Sequence, residues 1–335
     1  MKKPVNYIAT WFYKESANEK SYYPQIGQNG NSALAQSIYM QIQIPFFITF
    51  RHYNPYAEFL FFTNLKKEEL PDFLLEMFCK LDIKVITLQY TCRPPKGWYA
   101  SWQNQFYLYD ILKWAETELN DEDTIMICDA DCLCNSSIEE LFGLAYKDGA
   151  ALYEIITNRE HNINGITLPE MNILYNDCYK EKPQQDITYY GGELMVFRND
   201  IIKRINKEFS LLWQFNLDYA KRSKFKLNEE AHVMSIIAEV LKIRNNHANK
   251  FVKRMWTNPQ FNNIQPCDVD LPIWHLPYEK KRGLYRLYKY LIKNNLEITD
   301  ETIFWNKAQK DTGIPVVSKI KRIKDFITTI YMKFK

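Results

Sequence analysis

The stretch TIMICDADCLC, residues 124–134, runs five residues suited to a buried strand straight into two aspartates separated by one alanine. In extended backbone, side chains alternate with period two, so Asp129 and Asp131 point the same way. Two close carboxylates at a strand end cannot both stay ionised cheaply unless a cation or hydrogen-bond donors compensate them. A hard divalent ion does this well, because Mg²⁺ and Mn²⁺ favour carboxylate, water and phosphate oxygens. The bland alternative is a turn in which one aspartate caps a helix beginning near Asn135. Asn135 or Ser136 already fills that role ahead of IEELF.

Composition narrows the setting. The chain has 335 residues, 46% hydrophobic and 15% aromatic, ample for one large core or a domain plus an appendage. Its 43 basic and 40 acidic residues leave a net charge of +3, which gives no support to bulk nucleic-acid binding. Seven cysteines form an odd set without a regular framework, and MKKPVNYIATWFYK has too short an apolar run for a signal peptide. Reduced thiols and a cytoplasmic setting are the expectation. Cys128, Cys132 and Cys134 lack a paired Cys-x-x-Cys and a nearby histidine, so zinc is disfavoured. No stretch reaches the roughly eighteen uncharged apolar residues of a membrane span.

Outward from the aspartates, strand and helix signals alternate. VNYIATWFY (5–13), YAEFLFFTN (56–64), KVITLQY (84–90) and the opening stretch read as strands. ALAQSIYMQIQIPFFITFRHYNP has helical spacing with a break expected at Pro45, and LPDFLLEMFCKLDI and SWQNQFYLYDILKWAETEL read as helices. The polar stretch 14–32 is too long for a simple connection. This alternation predicts an α/β fold with a mostly parallel sheet covered on both faces, in which ligands sit beyond the carboxyl ends of the strands. After residue 155 comes a long polar stretch. ITYYGGELMVFRNDII (187–202) then reads as strand, tight glycines, strand, with Gly191 and Gly192 at a bulge, turn or ligand approach. NEEAHVMSIIAEVLKI (228–243) is a helix capped by Asn228, with Glu229 and Glu230 read as surface charges that complement its dipole.

In this order the features resemble the GT-A glycosyltransferases, the nucleotide-diphospho-sugar transferase fold, over roughly residues 5–283. The resemblance rests on the early strand, the helix NQFYLYDILKWAE, the strand ending in ICDADCLC, and YYGGELMVFRND beyond it. PIWHLPYEKKRG (272–283) is similar to the late His–Lys–Gly segment of the glycogenin-like and lipopolysaccharide galactosyltransferase-like subgroup. A Pro–Tyr–Glu insert here changes the spacing, so Lys280 and Lys281 are both open as the phosphate contact. The resemblance implies a Rossmann-like catalytic domain over 1–283, with a nucleotide-sugar half to about residue 134 and an acceptor half over 135–283. Residues 284–335 are expected to form a helical, basic amphipathic C-terminal extension. It implies Mn²⁺ or Mg²⁺ held by Asp129, Asp131 and His275, with Asp129 also near the ribose. It places the nucleobase against Ala9, Thr10 and Trp11, with Gln105 or Asp110 on the next helix, and the sugar near Gly191 and Gly192. The donor is then a nucleotide sugar, UDP favoured, and the acceptor a saccharide or lipid-linked glycan of a surface polysaccharide or lipopolysaccharide.

Departure of a nucleoside diphosphate builds negative charge on the leaving phosphate, and fixed positive charge aimed there stabilises the transition state. An inverting course needs a carboxylate base, for which Glu193, Glu229 and Glu230 are candidates; a retaining course needs none. Two other readings compete. A haloacid-dehalogenase-like phosphatase also places Asp-X-Asp at a strand end, but on an early strand followed by Gly and Thr, which DADCLC lacks. A non-catalytic sugar-nucleotide binder or membrane scaffold would keep the fold without turnover. In the tail, Ile320, Ile323, Ile327, Ile330, Tyr331 and Phe334 fall on one helical stripe, with Lys319, Lys321, Arg322, Lys324, Lys333 and Lys335 largely off it. Such a helix can lie on an anionic membrane, here the inner face of the plasma membrane, or pack on the catalytic domain.

Overall fold

The computed structural model describes Lys3 to Lys333. Met1, Lys2, Phe334 and Lys335 lie outside the described residues, as does the side chain of Lys333. Phe334 and Lys335 are the last members of the expected tail stripe and its basic flank.

Strand β1 (Asn6–Phe12) leads into the polar segment 14–32, which holds only the two-residue pair β2 (Tyr22–Tyr23) and β3 (Gln28–Asn29). Buried Glu15 organises that segment. Its carboxylate accepts from the Ser21 N–H at 3.2 Å, the Ser21 hydroxyl and the Tyr23 hydroxyl at 3.4 Å. Helix α1 (Ala33–Tyr53) then runs unbroken through Pro45, where the sequence predicted a break. The reason is burial: every residue from Met40 to Phe50 is buried. An internal proline costs about 3 kcal/mol, whereas each fully buried phenylalanine contributes about 1.5–3 kcal/mol. Phe46, Phe47 and Phe50 together outweigh it.

The pair β4 (Glu58–Thr63) and β5 (Ile83–Thr87) is parallel, joined across α2 (Asp72–Lys80), with Phe59 opposite Ile83 and Thr63 opposite Thr87. Helix α3 (Tyr107–Glu118) precedes β6 (Thr124–Cys128), the buried strand that delivers Asp129 and Asp131, and the short β7 (Cys132–Cys134) follows at once. Asn135 does not cap α4 (Glu139–Asp148): its amide donates to Val269 O at 3.0 Å, and the Glu139 N–H meets Ser137 Oγ at 3.3 Å. After β8 (Ala150–Glu154), the polar stretch contains a helix the sequence reading passed over, α5 (Leu168–Tyr179). A reciprocal cap starts it: Thr167 and Glu170 bond each other's backbone N–H groups. Only Met171, Leu174 and Tyr175 on it are buried, too few for a clear apolar period.

The double glycine makes no turn. Gly191 and Gly192 lie inside one strand, β9 (Tyr190–Arg198), antiparallel to β8 with an irregular register between Leu152 and Glu154. The chain continues through α6 (Asn199–Tyr219), α7 (Glu230–Leu241), β10 (Val252–Arg254), β11 (Ile273–His275), α8 (Gly283–Lys293), α9 (Glu301–Thr312) and α10 (Lys319–Lys333). The central sheet has the order β5-β4-β1-β6-β9-β8 and is mostly parallel and flanked by helices, the α/β class the sequence predicted. A second sheet has the order β10-β11-β7.

The chain forms two compact units. One comprises residues 8–87, 128–140 and the chain from Lys250 onward; in its core Phe47 packs on Phe61 at 6.2 Å and on Phe78 at 5.6 Å between ring centroids. The other comprises the stretch ending at Tyr7 with residues 88–127 and 141–249; there Tyr109 stacks on Phe209 at 3.6 Å and Phe106 packs on Trp213 at 4.6 Å.

Helix α10 packs by its charged side. Lys321, Asp325 and Met332 are buried, while Ile320, Ile323, Phe326, Ile327, Ile330 and Tyr331 are 40–68% exposed. The apolar stripe read from the sequence therefore faces solvent. No helix among the described residues is long and apolar enough to cross a membrane.

Candidate metal centre

Pairing between β7 and β11 brings the acidic loop to the late histidine. The strands are antiparallel with His275 opposite Cys132, and the Leu276 N–H donates to Asp131 O at 2.9 Å. This register sets His275 Nε2 3.3 Å from Asp131 Oδ2 and 3.7 Å from Asp129 Oδ2. One ligand atom from each of Asp129, Asp131 and His275 lies within 4.8 Å of the others. Asp131 and His275 are buried, whereas the Asp129 side chain is 43% exposed. Two carboxylates and an imidazole, one carboxylate open to solvent, suit a divalent ion that also takes oxygen ligands from outside.

A lysine completes the group. Lys280 Nζ, itself buried, donates to Asp131 Oδ2 and lies 5.7 Å from the centroid of the Tyr39 ring. Burial alone would raise the Asp131 carboxyl; the Lys280 ammonium and His275 imidazole reverse this and hold it well below the usual carboxylate range. The Tyr39 phenol is pushed far up by burial, then by the charges of Asp131, Asp129 and Glu15. Tyr39 and Glu15 escaped the sequence reading, since neither stands in a motif. Lys281 is used differently from Lys280: its Nζ donates to Ile26 O at 2.7 Å, tying down the polar segment 14–32.

The remaining predicted positions fall in varied surroundings. Ala9 and Thr10 are fully buried in β1, and Trp11 is half-buried. The Thr10 hydroxyl has no hydrogen-bond partner among the described residues. Asp110 is buried and accepts from the Thr91 N–H at 2.8 Å, the Cys92 N–H at 3.3 Å and the Thr91 hydroxyl, so it fixes that bend of chain; Gln105 is half-buried. The cysteine thiols stay out of the metal group. Burial pushes Cys132 well up and Cys134 to about 12, keeping both as protonated thiols.

Glu193, Glu229 and Glu230 are all buried, which overturns the reading of Glu229 and Glu230 as surface charges. Glu229, not Asn228, occupies the cap position of α7. Its carboxylate accepts from Tyr189 Oη at 2.6 Å and Asn164 Nδ2 at 2.5 Å, and His232 Nε2 lies 3.1 Å away. His232 Nδ1 accepts from the Asn228 N–H at 3.2 Å, which leaves the ring proton on Nε2, an atom without a hydrogen-bond partner among the described residues. Burial lowers His232's affinity for a second proton. The glycine pair serves the other two acids. A β-carbon on Gly191 would stand 2.1 Å from Glu193 Oε2, and one on Gly192 2.0 Å from Glu230 Oε1. His232 was legible only as a helical residue three places after Glu229.

No protein-family model matches the chain, and no curated protein matches it. Several solved structures are similar in fold. The bifunctional glycosyltransferase WbbM in its apo form aligns with TM-score 0.50 and 10% identity, over 92% of this chain and 52% of that one. The chain thus spans about half the length of WbbM. Galactosyltransferase LgtC, in complex with donor and acceptor sugar analogues, aligns with TM-score 0.49 and 14% identity, over 95% and 99%. Mouse xyloside xylosyltransferase 1, apo form, aligns with TM-score 0.47 and 10% identity, over 81% and 98%. At such low identities a likeness speaks for fold, and among these three the WbbM alignment is close enough to carry that argument. The chain has the GT-A glycosyltransferase fold that its DADCLC strand and late histidine resembled.

Proposed function

We propose that the chain is a metal-dependent glycosyltransferase that moves a sugar from a nucleoside-diphosphate sugar, UDP favoured, to a saccharide or lipid-linked acceptor of a surface glycan. The observation that carries this reading is the convergence of Asp129, Asp131 and His275 with Lys280. A bound Mn²⁺ or Mg²⁺ would supply positive charge where the diphosphate leaves. The chain's own contributions follow from its chemistry. Asp131 and His275 hold a buried, oriented ligand pair, and half-exposed Asp129 offers a carboxylate toward the incoming nucleotide. Lys280 is a second positive charge for the phosphates once a cation takes its place on Asp131. By the same reading the nucleobase lies against the end of β1, where Trp11 is half-buried and Ala9 and Thr10 are fully buried.

An inverting course would draw its carboxylate base from Glu193 or Glu230, both crowded against the glycine pair. Donors already surround the carboxylate of Glu229, which suits a framework role. The solvent-facing stripe of α10 supports docking on an anionic bilayer that presents a lipid-linked acceptor. Exposed Lys319 and Arg322 flank the stripe on one side and Lys324 on the other, where they reach headgroups as the apolar side chains enter the interface.

The test is a thermal-shift panel of UDP-, GDP-, CMP- and dTDP-sugars with and without Mn²⁺. The expected result is stabilisation by UDP-sugars only with metal; no shift with any donor overturns the reading.

A further inference from the structure

The tail helix reaches the candidate site through one buried lysine. Lys321 on α10 is fully buried, and its Nζ donates to Glu279 Oε1 at 2.7 Å and to Asp325 Oδ2 at 2.6 Å. Glu279 is equally buried and precedes Lys280 directly. It also accepts from the Thr257 hydroxyl at Oε1 and from the Gly283 N–H at Oε2, 3.0 Å away. The three donors come from α10, the stretch after β10 and the first turn of α8. One carboxylate therefore pins both ends of the short span that carries Lys280.

The surroundings are shaped for this contact. Gly313 ends α9 in a left-handed conformation (φ 84°), and a β-carbon there would stand 2.7 Å from the Lys321 stem. A β-carbon on Gly283 would stand 2.6 Å from Asp311 O and 2.8 Å from Glu279 Oε2. Arg286 on α8 closes the network, donating to Asp325 Oδ1 at 2.8 Å and to Asp311 Oδ1 at 3.2 Å. A lysine without solvent contact is costly to bury, and its ammonium is satisfied here by two carboxylates. A helix held only for stability would be expected to bury its apolar side, yet α10 turns Ile323 and Ile327 outward and buries Lys321.

We propose that Lys321 is a positioning residue for the candidate site, acting through Glu279 to hold the 275–283 segment so that His275 and Lys280 meet Asp131. The inference rests on the reading of that group as a metal and diphosphate site. Without Lys321, Glu279 loses the cation that compensates its burial, and it relaxes toward water with the backbone that it anchors.

The experiment uses the full chain and two readouts: hydrogen exchange of peptides spanning 273–283, and calorimetric binding of UDP in the presence of Mn²⁺. Lys321→Met is expected to speed exchange in that span about tenfold, leave β4 and β5 unchanged, and weaken UDP binding about tenfold. Lys321→Arg should restore most of both, and Lys310→Met, on an exposed position of α9, should change neither. Should Lys321→Met not fold, Thr257→Val removes another donor to Glu279 and should move both readouts the same way by less. If wild-type protein binds no UDP, the functional reading falls while the exchange data still decide this inference. Unchanged exchange in Lys321→Met, or in Thr257→Val if that variant has to serve, overturns it. So does unchanged UDP binding by a Lys321→Met chain whose wild-type parent binds.

Discussion

The ammonium of Lys280 rests on Asp131 Oδ2, the same oxygen that lies 3.3 Å from His275 Nε2. Lysine and a metal ion would therefore compete for one buried carboxylate. Replacing Lys280 with Met should tighten Mn²⁺ binding in the absence of nucleotide and weaken UDP binding in its presence, each by about tenfold, or roughly 1.4 kcal/mol. Calorimetric titration of the variant with Mn²⁺ and then with UDP checks both signs. Weaker Mn²⁺ binding by the variant would mean that Lys280 supports the cation site instead of contesting it.

The same pair sets an acid limit. In the folded chain Asp131 titrates well below its unfolded value of about 3.9. A depressed carboxylate contributes stability that is present above the unfolded value and lost as pH falls through the folded one. Asp131→Asn, which leaves Lys280 buried without its carboxylate, should cost about 3–5 kcal/mol at pH 6. That gap should narrow below about pH 4 as the wild type loses its advantage. Urea unfolding of both chains from pH 6 to pH 2.5 tests it; a constant gap would show that the charge of Asp131 is not the source.

The glycine pair should be intolerant of a methyl group. In Gly192→Ala the new β-carbon meets Glu230 Oε1 at 2.0 Å, so the buried carboxylate has to move. Overpacking of this kind costs about 1–3 kcal/mol. If Glu230 is the base of an inverting course, as proposed, transfer activity should fall further than that stability loss explains. Thermal unfolding and transfer rate, measured on the same preparation, separate the two effects. Full activity in Gly192→Ala would remove Glu230 from the site.

Membrane docking is best tested by point substitution, because cutting the chain near residue 312 would also take Lys321 away from Glu279. Ile323→Asp with Ile327→Asp changes two exposed positions and should leave folding within about 0.5 kcal/mol per site. Co-sedimentation with vesicles containing phosphatidylglycerol should drop at least tenfold, and neutral vesicles should bind the wild type weakly. Equal sedimentation of both proteins with anionic vesicles would contradict a bilayer role for this face.

The strand pattern around residues 124–134 was readable because period-two alternation and a continuous apolar run survive without tertiary context. The late histidine was readable through its neighbours in PIWHLPYEKKRG. What stayed hidden depended on the partner surface. Pro45 looks like a break until the burial of Met40 to Phe50 is known. Glu229 and Glu230 look like surface charges until Tyr189 and Asn164 are seen on one and the glycine strand beside the other. The tail stripe was readable as a period, while the pattern left its direction open, since amphipathicity reports two faces and not which one is buried.

Mn²⁺ titration of wild-type protein and of the double variant Asp129→Ala with Asp131→Ala, followed by calorimetry with and without UDP, probes the cation site itself. One Mn²⁺ per wild-type chain, bound more tightly with UDP and absent from the variant, is the expected result. A wild-type chain that takes up no Mn²⁺ even with UDP, or a variant that binds it equally well, would contradict a diphosphate-bridging metal at Asp129, Asp131 and His275.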